Sequence, residues 1–300
     1  MDIANESGCA QAVKTEVGEV PFAVDPQTSV NNHFQAAATD WERIYDEATV
    51  YGRIYQDRMA IALRWVEQLR LPGTAHLLEV GCGAGFGTAA LAKRGYRIDA
   101  LDSVPAMINL TSKRLAETGT AEGVRIVLAD VRHLPMPNNS FDLVFALGVL
   151  PWLDDAVAAV REMARVTRPG GYVLVSADNS VHLDEILDPA RAPILRPVRR
   201  RLASALRAVK LLSPAPQSPK VQRHSQREID CILSESGLDK LRSVMLGFGP
   251  FTLCGKSFLP ESVGITAHRL LQAAANRKLP IVSLYGMQYV VMSTKRARVQ

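Results

Sequence analysis

Short apolar runs alternate with longer stretches of helical periodicity along most of the chain. Residues 77–80, 97–102, 124–130, 141–146 and 172–175 have the length and composition of buried strands. The segments between them place apolar residues at helical spacing. Strands that alternate with helices predict a parallel sheet covered on both faces. We therefore predict an α/β fold in which the carboxyl ends of the strands form a common edge.

The first of these strands ends in an acid that precedes four glycines at alternate positions. Residues 77–88 read Leu-Leu-Glu-Val-Gly-Cys-Gly-Ala-Gly-Phe-Gly-Thr. Glycines let the backbone turn sharply with no Cβ in the way. Residues 88–95 are predicted to form a helix closed by Gly95, so its first amides face the same crevice. This junction predicts a site for a nucleotide-like ligand.

Two ligand classes use such a junction, and the glycine spacing separates them. A dinucleotide fingerprint places glycine at the sixth position of its motif, where this chain has Phe86. The spacing Glu79-x-Gly81-x-Gly83-x-Gly85 instead resembles the first motif of class I S-adenosylmethionine-dependent methyltransferases of the small-molecule type. The resemblance implies S-adenosyl-L-methionine as cofactor and these four residues as cofactor ligands. It also implies a Rossmann-like, seven-stranded, mostly parallel sheet with helices on both faces.

A second acid ends the next predicted strand. Asp102 lies 21 positions after Gly81, close to the ~20-residue interval at which a carboxylate meets ribose hydroxyls. We predict that Asp102 and the adjacent Ser103 bind the cofactor. The alternative is that either residue simply caps the helix that follows. Both roles are compatible with each other.

Further segments follow in the order that the resembled family shows. Asp130 ends the third strand region, where the family places an acid against the adenine amino group, with Val131 beside it. Ala146 ends the fourth strand and is predicted to border the cofactor. An Arg-Pro-Gly-Gly run at residues 168–171 precedes the fifth strand. The resemblance covers residues 40–180 closely.

The composition suffices for one large domain with additions. The chain has 300 residues, of which 47% are hydrophobic. We predict a disordered tail over residues 1–35, a methyltransferase domain over 36–181 and 224–300, and a basic helical lid insertion over 182–223.

No stretch reaches the ~18 apolar residues of a membrane span, and the first thirty residues lack a signal-peptide core. These features predict a cytoplasmic protein.

Residues 41–69 have helical spacing of apolar groups. In the resembled family such an element packs over the cofactor. This implies that Tyr45, Tyr51, Tyr55 and Arg58 reach its amino-acid end. The alternative is that the tyrosines are packing residues of an amphipathic helix.

The predicted insertion carries the net positive charge of the chain. Residues 190–223 hold nine of the 35 Lys and Arg residues and none of the 30 acids. A basic, leucine-rich segment beside the substrate side suggests an anionic acceptor, an anionic membrane surface or nucleic acid. Aromatic residues for base stacking are missing there, which counts against nucleic acid. The alternative is a solvated helix with its arginines facing outward.

Residues 247–271 form a second interruption, with an apolar first part. Phe248, Phe251 and Leu253 are predicted either to line a hydrophobic acceptor site or to form a local core. His182 follows the fifth strand, and we predict it as the catalytic base for a hydroxyl acceptor. The other candidate histidines are His133, His224 and His268. No residues have metal-ligand spacing, so we expect no metal.

Together these features favour an enzyme that transfers a methyl group from S-adenosylmethionine. The expected acceptor is a small molecule, apolar or lipid-linked, methylated at oxygen. The Asn/Asp-Pro-Pro-Tyr motif of enzymes that methylate base amino groups is absent after Ala146. An RNA methyltransferase that uses the basic insertion and a nonenzymatic cofactor-binding protein remain the alternatives.

Overall fold

The computed structural model describes residues 26–195, 197–198, 201, 219–254, 256–277, 279–280 and 282–297. The helices of this part are α1 (Pro26–Ala36), α2 (Ala38–Arg43), α3 (Val50–Gln68), α4 (Phe86–Ala92), α5 (Pro105–Thr118), α6 (Ala156–Val166), α7 (Leu183–Leu187), α8 (Gln226–Glu235) and α9 (Glu261–Asn276). Its strands are β1 (His76–Val80), β2 (Arg97–Asp102), β3 (Val124–Leu128), β4 (Phe141–Ala146), β5 (Thr167–Asp178), β6 (Leu238–Leu246), β7 (Thr252–Leu253), β8 (Lys256–Ser257) and β9 (Gln288–Lys295).

Seven strands form one sheet in the order β3-β2-β1-β4-β5-β9-β6. The pairs from β3 to β5 are parallel, and β9 runs antiparallel to both β5 and β6. The prediction of a seven-stranded, mostly parallel sheet is confirmed. Because β1 to β5 are parallel, their carboxyl ends meet at one edge, which is where ligands bind in such sheets.

Alternate strand residues pack into two cores on opposite faces of the sheet. Leu78 and Val144 face a core that includes Val160 of α6 and Ile229 of α8. Their neighbours, such as Leu143, face a core built with α3 and α4. This period of two is the geometry of a pleated strand buried on both faces, which explains why β4 is apolar at five of its six positions.

Three predicted elements have different limits in the structure. The helix after the glycines begins at Phe86, two residues before the predicted start, because Gly85 is its left-handed N-cap. The third strand ends at Leu128 instead of Asp130. The fifth strand starts at Thr167 and therefore includes the Pro-Gly-Gly run, where its pairing with β4 shifts register.

The predicted disordered tail over residues 1–35 is wrong for residues 26–35. These residues belong to α1, although the segment is polar and lacks a strong helical pattern. Its Phe34 packs with Trp41, Val104 and Met107 in a small cluster beside the start of α5. Tertiary contacts thus stabilise a helix that the local sequence pattern does not predict. Residues 1–25 lie outside the described part.

The described residues at both ends of the predicted insertion pair with α7. Arg191 approaches Asp184 at 3.6 Å, and Arg223 contacts Glu185 at 2.5 Å. Most of the predicted basic helical segment between them lies outside the described residues. Within the part of the chain that the structure describes, no helix is long and apolar enough to cross a membrane.

Candidate functional site

A cleft lies at the carboxyl edge of the sheet, beneath α1, α2 and α3. Its floor is the loop from β1 to α4, and its sides come from the residues that follow β2, β3 and β4. Seven of the predicted cofactor ligands are in its wall: Glu79, Gly81, Gly83, Asp102, Ser103, Asp130 and Val131. The parallel arrangement of the strands therefore collects residues that are up to 52 positions apart in the sequence.

The glycine loop has a backbone conformation that larger residues rarely adopt. Gly81, Gly83 and Gly85 all have positive φ angles, of 68°, 54° and 77°. A Cβ at Gly81 would lie 2.5 Å from a methyl group of Val149, and one at Gly85 would lie 2.9 Å from the Cα of Thr111. A Cβ at Gly83 would meet no protein atom within 4 Å, so this position leaves the cleft open to a ligand. Gly85 itself packs on α5 and is not part of the cleft wall.

The carboxyl group of Glu79 is buried behind the glycine loop. Burial, together with the charge of Asp102, raises the pKa of Glu79 to about 8, although the hydroxyl of Thr88 donates a hydrogen bond to it. A Cβ at Gly87 would lie 2.2 Å from Glu79 Oε1, so the fourth glycine makes room for this carboxyl group. A cationic ligand group would favour the ionised form of this carboxyl group, which fits the ammonium and sulfonium of the implied cofactor.

Asp102 is held by backbone amides at the end of β2. Its two oxygens accept hydrogen bonds from the amides of Gly83, at 2.9 Å, and Val104, at 3.0 Å. Burial raises the pKa of Asp102, and these amides oppose that shift. The N-cap of α5 is Val104, so neither predicted capping role is observed. Each carboxylate oxygen retains a further lone pair that could accept from a hydroxyl of a ligand.

Asp130 and Val131 form the wall beyond β3. Asp130 is the N-cap of a single 3₁₀ turn and accepts a hydrogen bond from the amide of Arg132 at 2.8 Å. Burial alone would raise the pKa of Asp130, but the hydrogen bonds from Arg132 and the charges of Arg132 and His133 together lower it. The carboxylate is therefore ionised and fixed where it could accept from an amino group. Ala146, by contrast, is fully buried in the core, and the residues that line the cleft there are Leu147 and Gly148.

Arg58 of α3 is a buried cation in the cleft. Its Nη2 donates to the hydroxyl of Tyr45 at 3.2 Å, and its guanidinium lies 4.5 Å from the ring centroid of Tyr55. Its Nε has no hydrogen-bond partner in the described part of the chain, although the side chain is only 3% exposed. A buried, under-bonded guanidinium is suited to a carboxylate ligand. Sequence analysis predicted that Arg58 and three tyrosines reach the amino-acid end of the cofactor. Tyr45 and Tyr55 line the cleft with Arg58, whereas Tyr51 is absent from the wall.

Sequence analysis did not predict two polar wall residues that lie at strand ends. Asp178 ends β5, and Gln288 begins β9 directly opposite it in the antiparallel pair. The signal for Asp178 was present, because it is an acid at the carboxyl end of a parallel strand, as are Glu79 and Asp102. Gln288 carried no signal, because its place depends on the register between β5 and β9.

His182, which we predicted as the catalytic base, is not in the cleft wall. Its ring is buried at the N-terminus of α7, where Nδ1 contacts the carboxylate of Asp184 and Nε2 lies 3.8 Å from Glu185 Oε1. A carboxylate on each side explains a buried histidine without a catalytic role. His268 is likewise held by Asp57, at 3.1 Å, and by the amide of Phe248. His133 and His224 also lie outside the cleft wall.

The aromatic residues of the second interruption do not reach the cleft either. Phe248 is 1% exposed and packed locally, whereas Leu253 is 54% exposed on the short β7–β8 hairpin. Phe251 is also absent from the described wall. The three side chains therefore do not line the cleft, and of Phe248 and Leu253 only Phe248 is buried.

Aromatic side chains from α1 and α2 cover the opposite end of the cleft. Phe34 and Trp41 pack edge-on against Trp152, at centroid distances of 4.9 and 6.1 Å. Ser103 Oγ donates to Asn31 Oδ1 at 3.1 Å, and Gln35 accepts from the amide of Ala106 at the start of α5. The segment that sequence reasoning left disordered therefore forms part of the cleft.

Comparison with known proteins agrees with this geometry. Residues 78–175 match a family model described as a methyltransferase domain. The chain is 35% identical over 126 residues to a malonyl-[acyl-carrier protein] O-methyltransferase of Serratia marcescens, covering 41% of this chain and 47% of that protein. It is 36% identical over 160 residues to the protein of the same name from Halorhodospira halophila, covering 52% and 50%. The chain thus spans about half the length of the curated relatives it matches.

A solved structure extends the likeness to most of the chain. The fold matches that of magnesium protoporphyrin IX methyltransferase from Synechocystis PCC 6803 with bound SAH, with a TM-score of 0.61 and 16% identity. This match covers 90% of this chain and 100% of that protein. The fold is the Rossmann-like methyltransferase fold. Residues 78–175 are thus similar in sequence to methyltransferase domains.

Proposed function

We propose that the protein transfers a methyl group from S-adenosyl-L-methionine to the oxygen of a small, apolar or lipid-linked acceptor. The observation that carries the proposal is the cleft, which combines an open glycine turn with a buried cation and four acids at or just beyond strand ends. The cofactor supplies an electrophilic methyl group on a sulfonium centre. The protein positions the acceptor in line with it and excludes water.

The wall residues suit the parts of this cofactor in order along the sheet edge. Asp102 would accept from the ribose hydroxyls, and Asp130 from the adenine amino group. Glu79 would compensate the positive charges, and Arg58 would bind the amino-acid carboxylate. Gly81 and Gly83 leave the backbone accessible between them.

The walls around Arg58 support an apolar acceptor. Tyr55, Met59 and Trp41 line the cleft on the side of α2 and α3, and Leu147 and Val149 line it on the side of β4. The relatives reported above are named as O-methyltransferases of malonyl-[acyl-carrier protein]. These apolar side chains on both sides of Arg58 favour a hydrophobic or acyl-linked substrate.

Calorimetric titration tests the cofactor assignment. We expect S-adenosylmethionine to bind to the purified protein and NAD not to bind, because Phe86 occupies the position that a dinucleotide motif reserves for glycine. S-adenosylhomocysteine serves as a second ligand that cannot turn over. Binding of NAD with equal or higher affinity, or binding of neither cofactor, would contradict the proposal.

We also propose that the surface around α7 contacts an anionic membrane. Ile186 and Leu187 of α7 are exposed, as are Ile194, which is 84% exposed, and Val198. The sequence from 190 to 223 adds nine bases without an acid. Apolar side chains beside clustered bases are the combination that binds anionic lipid surfaces.

Vesicle sedimentation tests this contact. We expect the protein to bind vesicles of 30% phosphatidylserine, about tenfold more weakly after Ile194→Asp, and to be released by salt. Leu279→Asp, at a half-exposed leucine elsewhere on the surface, is the control and is expected to bind as the wild type does. Equal binding to neutral vesicles, or no loss in Ile194→Asp, would overturn the membrane contact.

A further inference from the structure

We propose that Asp178 is the proton acceptor for a hydroxyl group on the methyl acceptor. This inference rests on the proposed function, and it goes further by assigning the base and by specifying the acceptor as a hydroxyl instead of a carboxylate. His182 does not reach the cleft, so the base must come from another residue of the wall.

The position of Asp178 supports this role. It ends β5, the strand next to β4, so it lies beyond the same sheet edge as the glycine loop. It lines the cleft together with Arg58 and Tyr55. The three acids already assigned to the cofactor end β1 and β2 or follow β3, on the other side of β4. Asp178 is therefore on the side of the cleft left for the acceptor.

The neighbours of Asp178 hold the carboxylate in place. Gln288 is its direct partner in the antiparallel register, and its side chain donates a hydrogen bond to Asp178. The Gln288 Oε1 is buried without a hydrogen-bond partner among the described residues. It could accept a hydrogen bond from a bound ligand, and such an orphaned acceptor marks a position where a ligand group completes the site.

Burial makes Asp178 a stronger base than an exposed carboxylate. Burial raises the pKa of Asp178 from its ordinary value, and the charges of Arg58, Arg223 and His182 limit the rise. A carboxylate whose pKa lies nearer neutrality accepts a proton more readily. The groups that face Asp178 are Tyr51, Tyr55 and Arg58 from α3, His182 at the start of α7, Arg223 and Gln288.

Cofactor binding is expected to raise the pKa of Asp178 and so to make it a stronger base. Arg58 is the cation that the cofactor carboxylate would take, and it is also the largest compensating charge for Asp178. A second carboxylate at Arg58 leaves Asp178 less compensated, so its affinity for a proton increases. Asp178 thus becomes the stronger base when the methyl donor is in place.

The proton balance of the transfer step favours a hydroxyl acceptor. Asp178 takes the hydroxyl proton while the acceptor oxygen bonds to the methyl carbon and the carbon–sulfur bond breaks with its electrons kept by sulfur. The products are a methyl ether, S-adenosylhomocysteine and protonated Asp178, which then releases its proton to water. A carboxylate acceptor has no proton to lose and would face the like charge of Asp178.

Methyl transfer to two matched probes tests the assignment. The probes are 4-octylphenol and 4-octylbenzoate, which share one apolar skeleton. We expect the wild type to methylate the phenol faster, and Asp178→Asn to lose about 100-fold in kcat together with the rise of rate with pH. Asp142→Asn, at a buried acid on the opposite edge of the sheet, is the control and should keep the pH profile. Faster methylation of the benzoate, or an unchanged profile in Asp178→Asn, would overturn the proposal.

A second measurement needs no acceptor. S-adenosylhomocysteine is titrated calorimetrically into wild type and Asp178→Asn in buffers of different ionisation enthalpy, from about pH 5 to about pH 7. We expect the wild type to take up more protons per ligand bound than Asp178→Asn, with equal cofactor affinity within about threefold. The same proton count in both proteins overturns the role of Asp178. Loss of ligand binding in the wild type would instead contradict the proposed function, so the two failures are distinguishable.

Discussion

Replacing Asp102 by alanine is expected to weaken S-adenosylmethionine binding by at least about 100-fold, or about 3 kcal/mol. Hydrogen bonds to a charged group contribute about 1.5 to 3 kcal/mol each, and the carboxylate can accept from two ribose hydroxyls. The variant also leaves the amides of Gly83 and Val104 without their acceptor, which loosens the glycine turn. Both losses act in the same direction. Calorimetric titration of the variant measures the effect.

Two further variants separate these causes. Asp102→Asn keeps the size of the side chain and one acceptor for the backbone, and it is expected to lose about tenfold in affinity through the charge. Asp99→Asn lies on the same strand but pairs with Arg125 and His76 outside the cleft, so its cofactor affinity should not change. Wild-type affinity in Asp102→Ala would refute the cofactor assignment of the cleft.

The sequence predicted the sheet and several residues that line the cleft, and the reason is physical. Buried strands have periodic apolar patterns, and a parallel sheet places the carboxyl ends of these strands together. Glu79, Asp102 and Asp130 could therefore be placed in one crevice without coordinates. Applied to the fifth strand, the same rule would also have found Asp178.

What the sequence did not predict depends on contacts between distant segments. The helix α1 is polar and becomes ordered by packing Phe34 against residues of α2 and α5. His182 follows a strand at the right edge, but the acids of α7 bind its ring and keep it away from the cleft. Side-chain direction at the end of a strand is set by such partners, and no local pattern encodes it.

Replacing Glu79 by glutamine is expected to stabilise the cofactor-free protein at neutral and alkaline pH. In the folded protein, burial raises the pKa of Glu79 to about 8, whereas the ordinary pKa of a glutamate, which applies to the unfolded chain, is 4.5. A carboxyl group with a raised pKa binds its proton more tightly in the folded state, so the free energy of unfolding falls as pH rises from 4.5 to 8. At 1.36 kcal/mol per pKa unit, the cost at pH 7 is about 3 kcal/mol. Glutamine removes this cost and can still accept from Thr88.

Urea unfolding at about pH 5 and about pH 8 measures the difference between the two proteins. We expect Glu79→Gln to be more stable than the wild type by a margin that grows with pH. Asp178 also has a raised pKa, but both proteins contain it and Glu79 is not among the causes of its shift, so its contribution cancels in the difference. The charge of Asp102 acts on Glu79, so the coupling between these two acids is part of the difference that is measured. A margin that is the same at both pH values would contradict the buried, proton-binding state of Glu79.

A control of opposite sign is available in Glu162. Hydrogen bonds from Arg165 lower the pKa of Glu162, so its ionised form stabilises the fold above its unfolded pKa, and this stability is lost as pH falls through the folded pKa. Glu162→Gln should therefore be less stable than the wild type at neutral pH, and the deficit should shrink in acid.

Glu79→Gln should in turn bind S-adenosylmethionine more weakly, because a cationic ligand favours the ionised carboxylate that glutamine lacks. Glu79 thus lowers the free energy of unfolding of the cofactor-free protein, and a bound cation offsets this loss by stabilising the ionised carboxylate.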